Sequence, residues 1–163
     1  MQIYHGSNVI VETPRLMTPT RTLDFGSGFY TTMNLEQAES FAKNVVNRNE
    51  GRGIPTISYY EIDYDKIIKE FDALIFNHPD DKWLDFVLAN RKEKYTGKQY
   101  DVVAGPVAND TVYRVIRLFE NGDIDREMVI KRLKVSRLFN QVTFRTEKAI
   151  AQLKFIKSET VNG

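Results

Sequence analysis

Leu23-Asp24-Phe25-Gly26-Ser27-Gly28-Phe29-Tyr30-Thr31-Thr32 sets two glycines and three aromatic rings just ahead of a helical pattern, and it is the least ordinary stretch of the chain. Its composition is that of a binding loop. A dinucleotide fingerprint of the strand-GxGxxG-helix type does not fit here. No apolar strand precedes Gly26, and Phe29-Tyr30 fills the space where a third glycine would be needed. On the C-terminal side, Leu35, Ala38, Phe41, Ala42 and Val45 recur at helical spacing. Thr32 or Asn34 is available as the cap and Glu36 lies in the first turn, so the spacing predicts a helix running to about Arg48 with those five residues inward.

Working outward, Gln2 to His5 reads as a short strand turned at Gly6-Ser7, and Pro14 and Pro19 bracket an irregular stretch. Beyond the polar turn at 50–53, the β-branched and aromatic run from Pro55 to Asp63 predicts a strand. Helices are expected over Asp80 to Lys92, Asp110 to Glu120, Ile124 to Leu133 and Glu147 to Leu153. Further strands are expected over Tyr100 to Pro106, Leu138 to Phe144 and Lys154 to Ile156. In the second of these strands the period of two puts Asn140, Val142 and Phe144 on one face and Gln141 and Thr143 on the other. Strands and helices mixed without a regular βαβ alternation give an α+β class.

The length, 163 residues, favours one domain spanning 1–163. With 42% hydrophobic and 28% charged residues the composition is that of a globular chain. No run is long and apolar enough to span a membrane and no export signal is evident, so a cytoplasmic protein with no membrane partner is expected. Zero cysteines exclude a disulfide framework and a thiol nucleophile, and with only His5 and His78 as imidazoles no metal is expected. Net charge is +1, yet residues 131–157 carry eight basic side chains against Glu147 alone. The plain reading is solvated faces of ordinary elements; the alternative is an anionic substrate or acidic partner. Phosphate loops, HExxH and GxSxG are all missing.

Three motifs in order remain: Tyr4-His5-Gly6-Ser7 on the first strand, Gly26-x-Gly28-Phe29-Tyr30-Thr31-Thr32 before a helix, and Asn140-Gln141 opening a late strand. In this combination the chain resembles the ADP-ribosyltransferase superfamily, in its diphtheria-toxin and poly(ADP-ribose)-polymerase branch. The resemblance is closest to DUF3990, a bacterial family suspected of toxin or conflict roles. Trp83 to Arg91, Asp101 to Asp110 and Gln141 to Phe155 extend the likeness over nearly the whole chain.

The resemblance implies a split β-sandwich with flanking helices, NAD as the substrate that serves as cofactor, and a protein or nucleic-acid acceptor. An antitoxin or inhibitor protein is a further partner implied only in this way. It also implies His5, Tyr30 and Gln141 as catalytic residues, with His5, Gly6, Ser7, Gly28, Tyr30 and Thr31 around NAD. A nicotinamide pocket needs an aromatic face, which Tyr30 would offer. It also needs backbone groups for the carboxamide, to which Gly6 would give close access. His5 would anchor ribose hydroxyls, with Ser7 or Thr31 as a secondary contact. Relatives commonly carry Glu where Gln141 stands; Gln can hold a ribose hydroxyl but supplies neither a full charge nor a general base. That puts chain elongation in doubt and leaves Asp24, Asp101 or Glu147 as the place for a missing acid.

The plainer reading stands beside this one. A histidine at a strand end is ordinarily structural, a tyrosine between phenylalanines is ordinarily core, and a strand glutamine is often an edge residue. His78 reads as a turn residue and Trp83 as a core anchor. Three activities follow: mono-ADP-ribosyl transfer to a macromolecule, NAD hydrolysis, and silent NAD binding. Nicotinamide release separates the last from the others, and label transfer separates the first two.

Overall fold

The computed structural model describes residues 1–16, 23–107, 110–134, 138 and 140–162. Pro19, Ala108, Asn109, Arg137 and Phe139, which figure in the sequence reading, lie outside them, as does the side chain of Asp110. Among the described residues seven strands and six helices follow one another as β1 (Gln2–Ser7), β2 (Phe29–Thr32), α1 (Leu35–Arg48), β3 (Thr56–Glu61), α2 (Tyr64–Glu70), β4 (Ala73–Ile75), α3 (Asp81–Arg91), β5 (Val102–Pro106), α4 (Asp110–Glu120), α5 (Arg126–Lys134), β6 (Asn140–Phe144), α6 (Glu147–Ile150) and β7 (Lys154–Thr160). The α+β expectation agrees with this content.

The strands make one sheet in the order β4-β5-β6-β2-β1-β3-β7. Only β4 and β5 run parallel; every other pair is antiparallel. The sheet narrows at its middle. Where β1 meets β3 along its whole length, from Gln2↔Glu61 to Ser7↔Thr56, its ladder with β2 is the single rung Tyr4↔Thr32. The strands that carry the two N-terminal motifs therefore part just beyond Tyr4. The His5 side chain crosses the opening, its Nδ1–H donating to the Tyr30 carbonyl at 2.6 Å.

Alternation along the strands builds a core on each face. One face gathers Ile3, Phe29, Tyr60, Val102, Ala104, Val142 and Phe144 with Ile67 of α2 and Ala149 and Ile150 of α6, so both halves of the sheet share it. On the other face Val103 packs with α3, α4 and α5 through Trp83, Leu84, Val87, Val112, Ile116, Val129 and Leu133. Trp83 is fully buried and its indole N–H reaches the Pro106 carbonyl at 2.8 Å, which fastens α3 to the end of β5 and agrees with its reading as a core anchor. Farther along this same face, α1 lies over β1 and β3 through Ala38, with Ile57 and Tyr59. A gap remains between α1 and the three-helix layer, and its floor is the seam where β1 and β2 part.

The caps explain where the helices begin. Asn34, not Thr32, caps α1, its side chain accepting from the Gln37 amide at 2.8 Å, and Asp80 caps α3 by accepting from the Trp83 amide at 3.0 Å. Several elements differ from expectation. β2 forms within the stretch read as a loop, α2 and β4 are additional, β1 continues straight through Gly6-Ser7 where a turn was expected, α6 ends at Ile150 and not at Leu153, and β7 extends to Thr160. β7 is the outermost strand, so its polar Lys157-Ser158-Glu159-Thr160 faces water and gives no hydrophobic alternation to read.

Asp101, just before β5, is buried and bound on all sides: the Asp72 amide at 3.0 Å, the Thr146 hydroxyl at 2.9 Å and the Lys148 ammonium at 3.3 Å. Burial alone would raise its pKa, but these three donors outweigh it and hold the carboxyl below its usual value. Stability from this site is therefore complete above the ordinary carboxylate range and is lost as pH falls through the lowered value. Asp101→Ala, which strands the Asp72 amide and the Thr146 hydroxyl, should cost about 2 kcal/mol. Thermal melts from pH 7 to pH 3 should show wild type and variant converging toward the acid end.

Candidate functional site

The gap beside the β1–β2 seam is a solvent-open cleft, whose space of about 300 Å3 includes the solvent at its mouth. β1 contributes Tyr4, His5 and Gly6; β2 contributes Tyr30, Thr31 and Thr32; β6 contributes Gln141; α1 contributes Gln37, Ala38 and Phe41. Of the residues singled out in the sequence, His5, Gly6, Tyr30, Thr31 and Gln141 meet here. Ser7 and Gly28 do not line it.

Each of these has a definite local arrangement. His5 stacks on Phe29 with ring centroids 4.2 Å apart, and burial lowers its pKa more than the bond to Tyr30 raises it. The imidazole is neutral at pH 7, with its proton on Nδ1 and its lone pair on Nε2. Tyr30 packs its ring against the α3–α5 core and turns its hydroxyl back into the preceding loop, accepting from the Phe25 amide at 3.0 Å and donating to the Gly26 carbonyl at 2.5 Å. Burial raises the phenol well above its usual range, so it stays protonated. Tyr30 is thus a cleft wall and a packing residue at once, and Tyr30→Ala would damage both.

Thr31 commits its hydroxyl to the Val142 carbonyl at 2.7 Å, leaving its backbone to the cleft. Thr32 donates to Gln37 Oε1 at 2.7 Å, tying β2 to the first turn of α1. Gln141 stands opposite Thr32 and Gly105 in the sheet. It is only 4% exposed, and its Nε2 is buried with no hydrogen-bond partner among the described residues. A buried amide nitrogen left in this way normally costs stability, which marks it as a donor held for something else.

Gly6 has a reason the sequence did not disclose. A Cβ there would lie 2.2 Å from the Ala38 carbonyl oxygen and 2.8 Å from the Ala42 amide nitrogen, so only glycine lets α1 settle onto β1. That close approach confines the helix contact to Ala38 and Ala42 and leaves the larger side chains outside. Leu35 and Phe41, expected inward, are exposed, and the 38% exposed ring of Phe41 lines the cleft on the α1 side. Gly28 is likewise a packing glycine, since a Cβ would meet the Phe144 carbonyl and Thr143 Cγ2 at 2.8 Å.

Among the described residues no carboxylate lines the cleft. Of the three acids considered for that role, Asp101 is committed to its anchoring network and Glu147 is exposed on the first turn of α6. Asp24 is buried in the loop before β2, where its carboxylate accepts from the Tyr113 hydroxyl at 3.3 Å. Among the described residues no three His, Asp or Glu side chains gather as a metal site, and no helix is long and apolar enough to cross a membrane. Within the basic C-terminal stretch Lys148 pairs with Asp101, Lys157 pairs with Glu159 at 2.7 Å, and Arg145 turns toward backbone carbonyls.

The family model for proteins of unknown function designated DUF3990 matches residues 1–155. The chain belongs to the DUF3990 family. No curated protein and no solved structure matches it. In this DUF3990 protein the matched region takes in every strand but the end of β7, and every cleft residue.

A neutral His5 makes the fold sensitive to mild acid. Because its pKa is lowered on folding, the stability tied to the neutral ring is complete above the ordinary imidazole value, about 6.5, and declines as pH falls through the lowered one. Melting temperature should therefore drop between pH 7.5 and 5. The drop should be smaller in His5→Gln, which has no proton to gain.

Proposed function

We propose that this protein binds NAD with its nicotinamide end in the cleft and transfers ADP-ribose to a macromolecular acceptor. The observation that carries the reading is the unpartnered Gln141 Nε2, buried in the same cleft as His5 and Tyr30, with Phe41 across from them on α1. The resemblance of the three motifs to ADP-ribosyltransferases supports the same assignment.

The residues fit the nicotinamide half of NAD. A flat cationic ring suits a slot walled by Tyr30 and Phe41, where stacking adds about 0.5–1.5 kcal/mol beyond area burial. Beyond the Tyr4↔Thr32 rung, the backbone of β1 faces the cleft without a ladder partner from β2, so it is available to a carboxamide. His5 Nε2 accepts from a ribose hydroxyl. Gln141 Nε2 donates to a ribose oxygen and so fixes the sugar.

In the reaction the bond between nicotinamide nitrogen and ribose carbon breaks, and its electron pair leaves with neutral nicotinamide. The ribose carbon gains oxocarbenium character and then bonds to the acceptor, which loses a proton. Gln141 orients the ribose through dipole and hydrogen bond without a full charge and cannot itself serve as a general base, and among the described residues no carboxylate lines the cleft. Single transfer is favoured over chain growth on that ground. The absence of a carboxylate among the lining residues also favours a second reading, NAD binding without turnover.

The test is incubation with NAD labelled in its adenylate half and cell lysate, followed by protease or nuclease. Label removed by one of the two digestions supports transfer. Nicotinamide release without retained label identifies NAD hydrolysis, and neither release nor label with intact NAD binding identifies the silent reading.

A further inference from the structure

We propose that Arg145 is a positioning residue for the cleft: its guanidinium clamps the loop of residues 23–28 from outside and so holds Tyr30 as a fixed wall. This rests on the reading of the cleft as an NAD site. Arg145 follows directly on β6, the strand that carries Gln141. Its Nε donates to the Ser27 carbonyl at 3.1 Å, its Nη1 to the Tyr100 carbonyl at 3.3 Å and its Nη2 to Gln99 Oε1 at 2.9 Å. One side chain thus joins the glycine loop to the segment leading into β5. All three acceptors are neutral, so the geometry of the planar fork, and not charge pairing, sets the arrangement.

Both loop glycines lie against this side chain. A Cβ at Gly26 would lie 2.9 Å from Asn90 Oδ1 and 3.3 Å from Arg145 Nη2, and one at Gly28, besides meeting the Phe144 carbonyl and Thr143 Cγ2 at 2.8 Å, would lie 3.2 Å from Arg145 Cγ. Gly26 also holds φ +80°, which a side chain disfavours. The arginine therefore lies across a surface that only glycines leave open. From inside, the Tyr30 hydroxyl holds the same loop at the Phe25 amide and the Gly26 carbonyl. The loop is gripped between Arg145 and Tyr30, and loosening the outer grip frees the inner one. The ring of Tyr30 then loses its fixed place without any change in the residues that would touch a ligand.

The experiment compares wild type, Arg145→Ala and Arg145→Lys by amide hydrogen exchange and by NAD turnover. In Arg145→Ala, exchange at Phe25 and Gly26 should rise at least tenfold while the β1–β3–β7 amides keep their rates. Arg145→Lys should fall between, because an ammonium cannot reproduce three diverging bonds, and it serves alone if the alanine variant does not fold. KM for NAD should rise about tenfold with kcat within threefold, the signature of a lost binding wall rather than a lost transition-state contact. Unchanged exchange at residues 25 and 26 in both variants overturns the proposal, as does exchange that rises equally throughout the sheet. If wild type neither binds nor cleaves NAD, the functional reading fails while the exchange comparison still decides the clamp.

Discussion

Gly6→Ala should lower the melting temperature by about 6–12 °C and widen the cleft. The added methyl would sit 2.2 Å from the Ala38 carbonyl oxygen, a backbone atom that cannot rotate away, so α1 itself must move off β1. Forcing a carbon into a packed contact costs about 3 kcal/mol, which corresponds to that fall for a chain of this size. Because α1 also carries Gln37, Ala38 and Phe41, its displacement moves one whole wall of the cleft. Differential scanning calorimetry measures the first effect. A variant that melts within 2 °C of wild type would show that helix and strand are not in the close contact described.

Gln141→Ala should lower NAD turnover on the order of 100-fold with little change in NAD affinity, because the ribose loses the hydrogen bond that orients it for cleavage. Loss of a buried amide without a partner should leave stability nearly unchanged or slightly improved, which separates this effect from unfolding. Gln141→Glu should raise NAD hydrolysis, because a carboxylate adds a charge that stabilises the cationic ribose. Steady-state assays of nicotinamide release decide it. If both substitutions leave turnover within twofold of wild type, Gln141 is an ordinary sheet residue, and Asp24, behind Tyr30, becomes the next group to test.

The sequence disclosed the strand-borne half of the cleft better than the helix-borne half. His5, Tyr30 and Gln141 were singled out through the resemblance of the three motifs, and all three line the one cleft. Periodicity also placed Gln141 on the strand face opposite Val142 and Phe144, as observed. Phe41 was not legible. Helical spacing puts it with Ala38 and Ala42, and only the close approach at Gly6, a contact between elements, shows that the helix touches the sheet through its alanines and leaves the ring at the rim. Two short elements escaped for another reason. α2 buries a single residue, Ile67, and β4 has three residues, so neither repeats a pattern long enough to show a period. The order of strands is a matter of long-range pairing, and the parting of β1 from β2 after Tyr4 has no local signal at all.

The central claim is that the cleft takes the nicotinamide end of NAD, and calorimetric titration of NAD into the purified protein tests it most directly, with free nicotinamide as competitor. Saturable, competitive binding below millimolar NAD is expected. Binding should be about tenfold weaker in Phe41→Ala, whose exposed ring can be removed at little cost to stability. No binding heat up to several millimolar NAD, or binding that neither nicotinamide nor Phe41→Ala affects, would contradict it.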